Sequence, residues 1–219
     1  MTVVGADNPA GRAWFARDSL VVAPALLGAE LTRHDDLGDV TVRITEVEAY
    51  RGSDDPGSHA FRGETPRTRV MFGEAAHTFV YLTYGMHRMI NVVTNPVGEA
   101  AGVLIRAGEV IRGLELARAR RPRVRDRDLA RGPARLAAAL GVELDENAID
   151  FFAADRYSLR LPSIPVTHMT TLRAGVSGPG GLAPFHWRFA EVDSDGLAHP
   201  TVSPYRIHPT HRRSGAPPS

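Results

Sequence analysis

V-T-V-R-I-T-E-V-E-A-Y, from Val40 to Tyr50, is the stretch on which the fold turns. Its β-branched, alternating residues read as a strand, and a period of two puts Val42, Ile44, Glu46, Glu48 and Tyr50 on one face. That face opens apolar and closes on two carboxylates and a phenol. An unpartnered buried carboxylate is costly, so the strand is expected to run out of the core into a cleft. A strand end that simply meets solvent is the competing reading, and alternation does not separate Glu46 from Glu48.

T-F-V-Y-L-T-Y-G-M-H-R-M-I-N-V-V-T, residues 78–94, extends the pattern. Residues 79–83 have strand composition, Gly85 supplies the positive φ of a tight turn, and residues 89–94 return as a second strand. Tyr84 and Met86 then stand at the tip. Turns are ordinarily polar, so a large ring and a thioether there ask for a partner. Proteins that enter the DNA minor groove use such apolar tips to part stacked base pairs. A tip packed under another loop is the alternative.

Around this centre the remaining elements read more coarsely. Residues 19–27 are expected to be helical behind an Asp18 or Ser19 cap, with Pro24 imposing a kink or a late start. Residues 35–39 form a polar turn, and residues 52–68, rich in Gly, Ser, Asp and Pro, a long loop carrying His59. Residues 103–105 read as a buried strand ending in Arg106, followed by a helix over residues 109–120. Pro133 opens a short helix that Gly141 closes, and residues 163–189 add late strands.

The whole chain of 219 residues, 43% hydrophobic, suits one α+β domain with a proper core, expected over residues 1–203, and a disordered tail over 204–219. It has no long apolar run and no signal-peptide pattern. Cysteine is absent, which excludes disulfides, zinc–cysteinate sites and cysteine nucleophiles. His208 and His211 have no third ligand at plausible spacing, so neither metal nor cofactor is expected. Net charge is only +1, but residues 118–135 hold eight arginines against Asp126 and Asp128. That run is the candidate for phosphate contact, with Arg131, Gly132 and Arg135 at the helix start beside it; a solvated basic loop is the alternative.

E-V-E-A-Y (46–50), His59, T-P-R-T-R-x-M-F (65–72), Y-x-x-Y-G-M (81–86), Asn91, V-L-I-R-A (103–107) and G-P-A-R-L (132–136) occur in one order. In that order and spacing the chain resembles the alkyladenine, or 3-methyladenine, DNA glycosylases over about two thirds of its length. The resemblance implies a single mixed domain with a curved antiparallel sheet, peripheral helices and a protruding hairpin. It implies removal of alkylated purines flipped out of duplex DNA, an event that takes a few kcal/mol. Tyr84, with Met86, is expected to fill the gap left in the stack, and Tyr50, His59, Tyr81 and Asn91 to line the base pocket. Rings attract positively charged alkylated purines, and Asn91 by resemblance refuses the exocyclic amino group of guanine. The family motif places the general base at the second glutamate, Glu48, which Arg106 would hold ionised. Arg67 and Arg69 join the candidates for phosphate contact.

All 26 basic residues are arginine. No lysine amine is available for the Schiff base that bifunctional glycosylases form with the sugar, so a water-using, monofunctional route is expected. The expected partner is double-stranded DNA containing damaged purines, met by a monomer with no membrane association, in the cytoplasm (the nucleoid of a bacterium) or another DNA-containing compartment. His87 and Phe79 stand where vertebrate-type members carry tyrosines, and the loop after His59 is one residue shorter, which leaves the lesion range open. A non-catalytic binder of distorted DNA and a hydrolase or transferase of free nucleosides are the other two classes; the first has no need of Glu48, the second none of Tyr84.

Overall fold

The computed structural model describes residues 2–4, 11–152 and 155–203. In chain order the elements are β1 (Thr2–Val4), α1 (Gly11–Phe15), α2 (Ser19–Ala25), β2 (Glu30–Arg33), β3 (Val40–Tyr50), β4 (Thr78–Thr83), β5 (His87–Thr94), β6 (Ala101–Arg112), α3 (Leu114–Arg120), α4 (Pro133–Leu140), β7 (Tyr157–Leu161), β8 (His168–Thr171) and β9 (Arg188–Glu191). The strands form one antiparallel sheet in the order β1-β7-β2-β3-β6-β5-β4, with β9 joining β3 and carrying β8. The expected tail and its two histidines lie outside the described residues. None of the helices described is long and apolar enough to cross a membrane.

The spine of the sheet is β3, which lies along β6 for its whole length and changes its other neighbour halfway. Residues 40–43 pair with β2, whereas Glu46, Val47 and Glu48 pair with β9. At the changeover the β3–β6 register shifts twice: Ile44 faces Gly108 and Glu46 faces Ala107, then Val47 faces Ile105. Thr45 and Arg106 are thus the extra residues of adjoining bulges, a device that re-aims side chains. Val42 and Ile44 sit in the core, but after the bulge Val47 and Ala49 do so instead. This corrects the uniform alternation: Glu46, Glu48 and Tyr50 lie out of phase with the core positions before them.

Helices cover the sheet from the periphery. In α4, Leu136, Ala137 and Leu140 are buried and join Leu26, Ile44, Ile105 and Val103 in the main core, and the helix packs against β5, β6 and β3. Its bounds follow from Pro133 at the first position, which has no amide hydrogen to lose, and from Gly141, whose φ of 77° ends it. In α2 the Asp18 carboxylate caps Leu20 N–H at 2.9 Å, and Pro24 falls in the last turn, so neither a kink nor a late start is needed. The helix expected from residue 109 begins instead at Leu114. Residues 109–112 continue β6 because β3 offers them a partner strand, and Gly113, at φ 74°, makes the break. A smaller apolar cluster of Ala60, Met71, Phe79, Val93 and Ala100 fastens the loop carrying His59 over β4 and β5.

Candidate active site

Glu46 and Glu48 have no exposed surface, which removes the competing reading of a strand end that simply meets solvent. They are tolerated because donors surround them. Glu46 Oε1 accepts from Arg106 Nε at 2.6 Å and Arg188 Nε at 2.7 Å, and its Oε2 from Ser203 N–H at 2.6 Å. Glu48 Oε2 accepts from the Tyr50 hydroxyl at 2.8 Å and Arg106 Nη1 at 3.1 Å, and its Oε1 from Ala174 N–H at 2.7 Å. Arg106, bulged out of the ladder and 4% exposed, bridges the two. Burial would lower its pKa, but the charges of Glu48 and then Glu46 raise it.

The three partners of Glu48 form part of the wall of a cleft of about 490 Å³, shared with Tyr81, Tyr84, Leu104, Arg131 and the start of α4, within the range of ligand-sized pockets. Beside it is a cavity of about 250 Å³ that holds Tyr50, His59, Tyr81 and Asn91 together with Phe79 and Met71. All four sequence-predicted pocket residues therefore meet at one place, and Tyr50 and Tyr81 belong to both spaces. His59 and Tyr81 meet edge to face at 4.5 Å. Asn91 is buried, its Nδ2 donating to Phe79 O at 2.9 Å. Burial first, then the Glu48 charge, pushes Tyr81 up to about 12, and the same causes carry Tyr50 well above its ordinary 10.0. Desolvation, then the Arg67 charge, lowers His59. At neutral pH the rings are thus two phenols and a neutral imidazole.

At the tip of the β4–β5 hairpin, Tyr84 and Gly85 both take positive φ, 50° and 69°, and Met86 N–H closes the turn on Thr83 O at 3.2 Å. Glycine does this freely, whereas a tyrosine in the left-handed region costs about 1–2 kcal/mol. That backbone holds Tyr84 85% exposed, with Met86 at 69%.

The arginine run is mostly committed to its own chain. Arg118 pairs with Glu115 and Asp126, Arg125 and Arg131 with Asp128, and Arg121 donates to the Asp128 and Leu129 carbonyls. Arg120 caps the C-terminal carbonyls of α4 and pairs with Asp35. Exposed Arg135 forms part of the cleft wall. Arg131 and Gly132 border the same cleft, though Gly132 N–H is used by Ala130 O at 3.2 Å. Arg69 pairs with exposed Glu64 at 3.0 Å. Arg67 folds over Tyr81, 5.1 Å from the ring centroid, and donates to Leu82 O at 3.1 Å.

Arg173 and Asp55 carry no motif and escaped the sequence reading. Both are fully buried, and the two Arg173 Nη atoms lie 2.5 Å from the Asp55 oxygens, with further bonds to Ala49 O and Gly180 O. Three rings enclose the guanidinium, with Tyr50 nearest at 4.5 Å. The next residue is Ala174, which holds Glu48. The only sequence signal was an arginine followed by small residues in a late loop, which does not reveal a distant carboxylate partner.

The methylpurine-DNA glycosylase family profile matches residues 13–195. A sheet-borne carboxylate bonded to one of the two cavity tyrosines, beside a cleft that Tyr84 of the hairpin tip helps to wall, belongs to the same span, and the chain is a member of that family. A relative from Streptomyces avermitilis is 50% identical over 94% of this chain and 96% of its own length. One from Leifsonia xyli is 49% identical over 91% and 93%, and one from Nocardia farcinica 44% over 88% and 89%. Each bears the name "Putative 3-methyladenine DNA glycosylase".

Proposed function

We propose that the chain is a monofunctional DNA glycosylase that turns alkylated purines out of duplex DNA and hydrolyses their N-glycosidic bond with water activated by Glu48. The observation that carries this reading is the position of Glu48, whose partners Tyr50, Arg106 and Ala174 are all cleft-wall residues. Glu46 is the weaker candidate: the charge that raises both pocket phenols is that of Glu48, whereas Glu46 is closed in by Arg188 and Ser203.

The everted base enters between Tyr50, His59, Tyr81 and Asn91, and Tyr84 with Met86 occupies the vacated stack; stacking on an aromatic ring returns about 1–3 kcal/mol, comparable to the cost of eversion. As the bond to the base breaks, the sugar develops oxocarbenium charge, which the Glu48 carboxylate favours while it removes a proton from the attacking water. Oε1 of Glu48 has an acceptor position beyond its bond to Ala174 N–H, and Arg106 orients the group. Alkylated purines such as 3-methyladenine and 7-methylguanine already carry the positive charge that lets them leave, consistent with a pocket whose titratable groups are neutral. Arg131 and Arg135, which flank Gly132 on the cleft wall, and exposed Arg69 are the proposed phosphate-contacting residues.

The test is incubation of the purified protein with duplex DNA containing 7-methylguanine. Free base and an abasic strand that stays intact until treated with alkali are expected; strand scission without alkali would show a lyase, and no base release would reject the glycosylase reading.

A further inference from the structure

Each of the two pocket tyrosines backs onto an arginine. Arg173 lies 4.5 Å from the Tyr50 centroid and Arg67 5.1 Å from that of Tyr81, and neither contributes to the cavity walls. The two guanidiniums differ in compensation. Arg173 is fully buried against the Asp55 carboxylate. Arg67 is exposed, donates to the Leu82 carbonyl, and has no carboxylate partner among the described residues. Its charge is the uncompensated one behind the base pocket.

We infer that Arg67 is a specificity-determining residue, which sets the balance between positively charged and neutral damaged purines. The inference rests on the glycosylase reading above. A ring with a cation on one face attracts a second cation on the other less strongly, because both draw on the same quadrupole. Arg67 therefore weakens the hold of Tyr81 on a cationic base such as 7-methylguanine. For a neutral base such as hypoxanthine the sign reverses. When the C1′–N9 bond breaks, the electron pair passes to the purine, which leaves as an anion unless protonated. The sugar cation is captured by water, whose proton goes to Glu48, and the departed base takes its proton from solvent. Neither the phenols nor the His59 ring, held neutral partly by Arg67 itself, offers a strong acid. A fixed positive charge behind Tyr81 stabilises the anionic leaving group instead.

Arg67→Met removes the charge from an exposed position and should leave thermal stability unchanged. The measurement is kcat/KM on otherwise identical duplexes carrying 7-methylguanine or hypoxanthine. The ratio of cationic to neutral excision is expected to rise about 5-fold in Arg67→Met, as for one exposed charge acting across a ring. Arg67→Lys should hold the ratio within about 2-fold of wild type, and the Met effect should shrink at high salt. An equal loss on both lesions, with the ratio unchanged, would make Arg67 a phosphate contact and overturn the inference, as would a fall in the ratio. Wild type that releases neither base would defeat the glycosylase reading on which it rests.

Discussion

Three donors converge on the Glu48 carboxylate, and one of them depends on a residue that never touches it. Ala174 N–H is where it is because Arg173 is clamped by Asp55 and by the rings of Tyr50, Phe185 and Trp187. Arg173→Met leaves Asp55 buried without its counter-ion, held only by the Arg51 and Gly57 amides, a loss of about 3–5 kcal/mol. The paired change Arg173→Met with Asp55→Asn should recover most of that stability while excision stays slow, as read by denaturant melts beside single-turnover rates. Recovery of full activity in the double variant would show that the clamp serves only the fold. Glu48, Tyr50, His59, Tyr81 and Asn91 sit in motifs and stand out as candidates from the sequence, with Arg106 as the partner of Glu48; the burial of both glutamates does not, because the rest of their compensation comes from Arg188, Ser203 and Ala174, all distant in sequence.

The β3–β6 pair and the β4–β5 hairpin carry the site. Both strands of the hairpin and its glycine turn follow from composition, and so do the bounds of α4. The double bulge at Thr45 and Arg106 does not, since a two-residue period has no term for an inserted residue. Nor does the extension of β6 through residues 109–112, where a neighbouring strand overrides a helical pattern. Gly108 lies beside the first bulge, and a Cβ there would stand 2.2 Å from Val42 Cγ1 and 2.5 Å from Arg43 O. Gly108→Ala is expected to destabilise by about 1–3 kcal/mol and to slow excision by disturbing the aim of Arg106; a thermal melt and rate like those of wild type would count against the bulge as the aiming device. At the hairpin tip, Tyr84→Ala should weaken binding to lesion duplex by about 1–3 kcal/mol with the melting temperature unmoved. A large fall in melting temperature would mark the ring as packed rather than free.

Over the whole molecule, ion pairs between distant segments set the acid limit of stability. Glu146 is buried, which would raise its pKa, but bonds from Arg33 and Tyr157 bring it below its ordinary 4.5. Asp35 and Asp150 are likewise drawn below 3.8, against desolvation, by backbone amides and by Arg33, Arg120 or Arg12. Because each folded pKa is the lower one, the unfolded chain binds more protons in acid. The stability from these groups is complete above about pH 4.5, starts to fail as pH drops through the unfolded values, and is gone below the folded ones. Denaturant melts against pH should show that decline, and Glu146→Gln should be less stable at neutral pH but lose less on acidification. An unchanged acid slope would contradict the assignment.

The proposed chemistry depends on the carboxylate at position 48, and the direct measurement is single-turnover release of 7-methylguanine from duplex DNA by wild type and Glu48→Gln, with lesion-duplex affinity measured alongside. The amide keeps the shape and the bond from Ala174 but takes no proton from water. Excision is expected to fall by about 10²–10⁴-fold with affinity within a few-fold of wild type. Wild-type release by the glutamine variant, at unchanged affinity, would contradict it.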